Sequence, residues 1–405
     1  MMTYLHAVGA ILLLAAMATV ARSIVKGFER ARRAVPDVAV LLLIGILVGA
    51  TAGWLRVPLA PWIAPAQNSM LLTAAASLII SYGGAELSPA IFFTIWKPVL
   101  SLATIGVLVS TLCVGTIAWA FGIGSFVFTM LLGALLSGTD PAVLVSVLSQ
   151  VRLVERMREM LIGESALNDP TSALLASVML SMLQNAGQSL WQIVLRITVE
   201  TIIAIFIGIG TGVLMRVVSR YTGFVVLKLV LTFSVAFVVS ILVGASPFLA
   251  AFTAGFIAQP LTERKPVHSR PKRFHAINHG ADHLMFFTRS YVFLTLGLSI
   301  HGIGLSGFVP ALIVVLVLLS VARPLSIFVV RAIVSRHMSR KEVFFLSLNR
   351  QTGVMPALFA NLLLQQHVQP MNIVQWSVTI TIVITSVILL PFFGSIAKSF
   401  KMSTP

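Results

Sequence analysis

Cysteine is all but missing: Cys113 is the single one in 405 residues. One thiol makes no intrachain disulfide and builds no cysteine metal cage. Charge is sparse as well, 10% of the chain against 58% hydrophobic residues, which leaves too little polar surface to clothe a water-soluble core. No linker, low-complexity tract or polar appendage interrupts the pattern, so no soluble regulatory domain is expected. What charge there is leans one way, with 28 lysines and arginines, 12 acids and a formal net charge of +16.

What fills the chain instead is a series of apolar runs, each about 20 residues, the length that crosses the ~30 Å hydrocarbon layer as a helix. Thirteen are counted, at roughly 5 to 25, 36 to 55, 70 to 88, 98 to 120, 126 to 149, 158 to 183, 191 to 217, 224 to 244, 246 to 262, 283 to 302, 308 to 333, 341 to 365 and 373 to 397. The expected fold is an all-α membrane protein of thirteen transmembrane helices in one domain. The first run has its basic cluster after it, the reverse of a secretory signal, and is read as retained.

The positive residues test that count. Arg22, Lys26, Arg30, Arg32 and Arg33 follow the first run, placing the N-terminus outside and the join in the cytoplasm. Every second join is then basic: Lys97; Arg152, Arg156 and Arg158; Arg216, Arg220 and Lys228; Arg264, Lys265, Arg270, Lys272 and Arg273; Arg331, Arg336, Arg340 and Lys341; Lys398 and Lys401. These hold 23 of the 28 basic residues, and the alternate joins hold only Arg56. Spread this way, the positive charge fixes orientation in a cell membrane, C-terminus in the cytoplasm, and meets anionic lipid; nucleic acid is not an expected partner.

Thirteen crossings divide into six, one and six, so the second six starts from the opposite face. The expectation is two inverted repeats, about 5–183 and about 224–397, around a linking helix at about 191–217. The fifth and twelfth runs carry matching breakers, Gly138-Thr139-Asp140-Pro141 and Gly353-Val354-Met355-Pro356. Proline removes a donor and displaces a carbonyl, and glycine allows extended backbone, so each helix is expected to unwind near its centre and the two to cross as discontinuous helices.

The costly residues gather there. The sixth run reads Gly163-Glu164-Ser165-Ala166-Leu167-Asn168-Asp169-Pro170, with Asp169 about eleven residues, ~16 Å, from the cytoplasmic end. A charged side chain at that depth costs about 2.5–3.5 kcal/mol, and a carboxylate does not stay charged and bare; it takes a proton or a small cation, seldom both. Competition of that kind suffices for exchange. Oxygen ligands for a hard monovalent cation are at hand in the Asp169 carboxylate, the Ser165 and Thr139 hydroxyls and the Asp140 backbone.

The two motifs GTDP and GESALNDP resemble the fifth and sixth helices of monovalent cation/proton antiporters, in the NhaP-type branch related to sodium/proton exchangers. The resemblance extends over most of the chain through the thirteen-helix plan. It implies that Asp169 carries the exchanged ion, that Ser165, Thr139 and Asp140 contribute to the cation site and that Asn168 supports it. It implies electroneutral one-for-one exchange from the Asn168-Asp169 pair, sodium as the favoured cation, no cofactor and a homodimer. It also implies a structural ion pair between Glu164 and Arg350. Where the family often has Phe-Glu in the third helix, this chain reads Ser81-Tyr82, with an acid only at Glu86.

Some charges have no place in that pattern. Arg289, in the tenth run, is expected to pair with Glu164 or Asp169 or to lie near the cytoplasmic boundary. Arg196 and Glu200 are spaced for an i, i+4 pair, and Arg323, before Pro324, for snorkelling or capping. His275, His279 and His283 recur every four residues beside Asp282, a stripe open to pH sensing, to metal binding or to no role beyond an interfacial helix.

Three alternatives stand beside sodium/proton exchange. Potassium or lithium exchange would use the same mechanism. A cation channel would line a pore with the same carboxylates, but no filter-like loop is visible. A membrane-embedded enzyme lacks HExxH, a Ser and His pair at matching depth and a polar loop to hold a substrate.

Overall fold

The computed structural model describes residues 2–30, 36–58, 64–87, 89–139, 153–184, 189–218, 225–258, 272–300, 305–334, 338–350, 352–366, 370–389, 392 and 399. Regular structure among them is helical, without a strand. The first elements are α1 (Met2–Arg30), α2 (Asp37–Trp54) and α3 (Ser69–Glu86). Next come α4 (Pro89–Ser101) and α5 (Val107–Ala120), joined by a π-helical turn at Leu102–Gly106, then α6 (Phe126–Ser137), α7 (Glu155–Gln184) and α8 (Leu190–Val218). After α9 (Val225–Val243), α10 (Pro247–Ile257) and α11 (Lys272–Ile300), a second π-helical turn at Leu318–Ala322 joins α12 (Phe308–Val317) to α13 (Arg323–Ile333). Then follow α14 (Arg340–Leu348), α15 (Val354–Gln365) and α16 (Met371–Val383), the last continued by a π-helical turn at Ile384–Leu389.

Hydropathy places most of these ends within a few residues; eight of the described helices are long and apolar enough to cross a membrane. Three boundaries differ. The fourth crossing begins at Pro89 and not near 98, which takes Lys97 out of the join and into the helix, its ammonium 5.8 Å from the Trp96 ring. A basic side chain next to an interfacial tryptophan reaches the headgroups from inside a helix. The helix of the tenth apolar run begins at Lys272 and so includes the histidine stripe. The break in the twelfth lies between Leu348 and Val354, and Pro356 falls in the first turn of α15, where a missing N–H costs no helical bond.

The largest buried side chains, among them Leu131, Leu132, Leu135, Phe293 and Phe345, form one core around α6, α7, α11 and α14. Elsewhere backbones touch. A Cβ placed on Gly45 of α2 would stand 2.8 Å from the Leu294 carbonyl oxygen and 2.9 Å from Cα of Gly297 on α11. Small residues permit such approach, and helices packed in lipid gain from it because no hydrophobic effect separates one apolar surface from another there.

Candidate functional site

α6 starts on Ser125, whose hydroxyl accepts from the Phe128 N–H, and stops at Ser137 because Gly138 turns extended, at φ −64° and ψ 146°. Thr139 follows, buried. Facing it, α7 presents Ser165, Asn168, Asp169 and Ser172, spaced i, i+3, i+4 and i+7 and thus on one helical face, all buried. The Ser165 hydroxyl donates to Thr139 Oγ1 at 2.8 Å and the Asn168 amide donates to the same atom at 3.2 Å. With both lone pairs of Thr139 occupied, its hydroxyl is a knot between the two helices. On the helical face that carries Asp169, the oxygens left over are the Ser165 lone pairs and Asn168 Oδ1, the latter meeting no donor among the described residues.

Gly138 marks where the two breaks meet. A Cβ on it would stand 3.2 Å from Asp169 Oδ1, 2.9 Å from Ser172 Oγ and 3.6 Å from Cδ of Pro356. A side chain there would have to displace the Ser172 hydroxyl and the Asp169 carboxylate of α7, while its contact with Pro356 of α15 would be an ordinary one. α7 runs unbroken through Pro170, which withdraws the helical partner of the Ala166 carbonyl within the same buried stretch.

Two arginines hold the interrupted helices, and their division of labour corrects the expected pairing. Glu164 pairs with Arg323, not with Arg350: Nη1 of Arg323 reaches Oε1, and Nη2 lies 3.2 Å from Oε2. Arg323 also donates to the Leu346 carbonyl at 3.1 Å and the Asn349 carbonyl at 2.9 Å, at the C-terminal end of α14. Arg350 donates to the Leu136 carbonyl at the end of α6. Each broken helix thus has its exposed carbonyls and negative dipole end met by a guanidinium. Arg323 wins Glu164 because it approaches with both prongs of its fork from the first turn of α13, while Arg350 is taken by α6. Glu164, Arg323, Arg350, Asn349, Ser165 and Thr139 line one small cavity, so both arginines face the site. Of the two roles expected for Arg323, the structure shows capping, at the α14 carbonyls, and not snorkelling, since the side chain is buried; its pairing with Glu164 was not anticipated, although a buried charge inside an apolar helix signals that it has a partner.

Other expected residues sit apart from this cluster. Arg289 pairs with Asp37 at the start of α2, at 2.8 Å, which puts it at one end of the bundle and away from Glu164 and Asp169. At the same end Tyr82 donates to Asp282 Oδ1 at 2.9 Å, with Glu86 one helical turn further along α3. Of the histidines on α11, His283 is exposed; the side chains of His275 and His279 lie outside the described residues, as does Asp140 altogether. Arg196 and Glu200 form the spaced pair, 2.7 Å apart on an exposed face of α8.

With this geometry in hand, comparison with known proteins gives a consistent likeness. A family model described as "Sodium/hydrogen exchanger, transmembrane" matches residues 12–396. The "K(+)/H(+) antiporter NhaP2" of Shewanella oneidensis is 35% identical over 117 residues, 29% of this chain and 20% of that protein. The "Na(+)/H(+) antiporter NhaP" of Pseudomonas aeruginosa is 34% identical over 92 residues, 22% of each. The chain thus matches about a fifth of the length of these curated relatives. Among solved structures, the sodium proton antiporter MjNhaP1 from Methanocaldococcus jannaschii at pH 8 has the same fold, with a TM-score of 0.80 at 22% identity over 96% of this chain and 98% of that one.

Proposed function

Since the chain belongs to the sodium/hydrogen exchanger transmembrane family, a family of transporters and not of enzymes, we propose that it exchanges one monovalent cation for one proton, with Asp169 as the group both compete for. The observation that carries the reading is the buried set of oxygens around Asp169, where α7 meets the ends of two interrupted helices. Asp169 is neutralised by a cation or by H⁺, and the loaded site reorients only when neutral, since moving a bare carboxylate through a low-dielectric interior is costly. A proton gradient then drives cation movement the other way, with no nucleotide and no cofactor.

Charge counting supports a one-for-one exchange. Asn168, next to the carboxylate, does not titrate, so each half-cycle moves one positive charge and a full turn moves none net. Ser165 and Asn168 supply neutral oxygens to the cation, with Thr139 holding them and the Asp140 backbone completing the set. Thirteen crossings in two inverted repeats, N-terminus outside and C-terminus in the cytoplasm of a cell membrane, is the arrangement that the span count, the basic joins and the paired helix breaks favour, and a homodimer is what the family resemblance implies.

Sodium is the cation put forward. Potassium is the second reading, favoured by the K(+)/H(+) antiporter name of the Shewanella relative. The test is a pH-dye recording in proteoliposomes with Na⁺, Li⁺ and K⁺ added in turn. Na⁺ is expected to give the largest dequenching and Asp169→Asn to reduce it to background. Full-rate exchange in that variant would remove Asp169 from the mechanism, and a signal for K⁺ alone would select the second reading.

A further inference from the structure

Away from the Asp169 cluster, two amide side chains are completely buried where α15 and α16 face α11: Asn361 and Gln375. Asn361 Nδ2 donates to the Val292 carbonyl at 3.5 Å and to the Ala357 carbonyl at 3.0 Å. Two carbonyl neighbours fix that end of the amide as the NH₂. Gln375 Nε2 donates to Ser299 Oγ at 3.2 Å, and Ser299 gives its own proton to the Leu296 carbonyl at 2.7 Å, so this amide is oriented as well. The atoms left over are both oxygens. Neither Asn361 Oδ1 nor Gln375 Oε1 meets a donor among the described residues.

The positions form a line. Val292 and Ser299 are seven residues apart on one face of α11, about 10 Å, with buried Thr295 between them. Asn361 lies just over a turn from Pro356, the residue packed against Gly138 beside Asp169. Gln375 lies less than a turn from Asn372, which bonds Ser306 at the exposed end of the same helices. A row of polar groups therefore runs from the carboxylate to the membrane face where α11 ends, the outer face in the topology proposed above. Leucine would fill the same contact without stranding an acceptor. Buried acceptors left without donors are accounted for if a second conformation, in which water or a passing cation reaches them, is also visited.

We propose that Asn361 and Gln375 are gate residues of the outward route: their NH₂ groups latch α15 and α16 to α11 in the closed arrangement seen here, and their oxygens line the passage when that contact parts. The inference rests on the antiport reading of the Asp169 site.

Cysteine accessibility tests it, and the chain suits the method because Cys113→Ser removes its single thiol. Asn361→Cys and Gln375→Cys are placed singly in that background, in right-side-out and in everted vesicles, and treated with a membrane-impermeant maleimide. The expected result is labelling from the outside, at a rate that changes at least about tenfold between sodium-loaded and sodium-free conditions as the open population shifts. If neither thiol reacts from outside while the vesicles exchange cation for proton, the gate is wrong and the antiport reading stands. If the Cys113→Ser parent, properly inserted, exchanges no cation, the antiport reading falls and the gate with it. Should Asn361→Cys fail to accumulate, Ser299→Cys takes its place with the same two outcomes.

Discussion

α7 and α8 follow one another in the chain and are almost equally long, 30 and 29 residues, yet they are built as opposites. α8 turns apolar side chains outward, with Trp191 and Phe206 about 70% exposed, and its one acid sits on an exposed face beside Arg196. α7 hides Glu159, Glu164, Ser165, Asn168, Asp169 and Ser172, and is not among the eight helices apolar enough to pass for a crossing by composition. In lipid the usual arrangement is turned around: of these two helices the one with more polar side chains is the one that buries them, because each polar group needs a protein partner that lipid does not supply.

Four single substitutions and one double change sharpen that contrast. The largest effect is expected from Arg323→Met, which leaves Glu164 buried without its partner; loss of one member of such a pair costs about 3–5 kcal/mol, to be read as a fall in thermal unfolding temperature in detergent. The double change Glu164→Gln with Arg323→Met should restore most of it. An equally low stability in the double variant would mean that Arg323 matters for its carbonyl contacts to α14 and not for its charge.

Glycines give an effect of intermediate size and of opposite sign on the two sides. Gly138→Ala drives a methyl into Ser172 and Asp169 and should weaken apparent cation affinity about tenfold, a change of about 1.4 kcal/mol, in the pH-dye assay. Gly210→Ala on α8 meets nothing within 4 Å and should stabilise the helix by about 0.5–1 kcal/mol with exchange unchanged. Equal affinity in the Gly138 variant would detach that glycine from the ion site. The smallest effect belongs to Arg196→Met: an exposed i, i+4 pair contributes about 0.3–0.5 kcal/mol, and neither exchange rate nor unfolding temperature should move measurably.

Much of this was legible in the sequence, for reasons that are local. Hydropathy over a ~20-residue window fixed helix ends such as Leu190–Val218, and the breakers at Gly138 and Gly353 located both interruptions. The spacing of Ser165, Asn168 and Asp169 put them on one face because helical periodicity needs no knowledge of neighbours. Pairings across helices were not legible. Glu164 with Arg323 spans 159 residues and Arg289 with Asp37 spans 252, and which side chains meet depends on how helices rotate against one another, which no window along the chain records. The extension of α11 down to Lys272 was hidden for a different reason: its first turns are polar, so hydropathy ends where the helix does not.

The contact between Gly45 and Gly297 has a mechanical meaning. Two rods whose main chains lie against each other, with no room for even one methyl group, share no sliding layer of side chains between them. α2 and α11 therefore shift as a single slab or stay still together, and whatever rearrangement carries an ion across must be taken up along other faces of that slab.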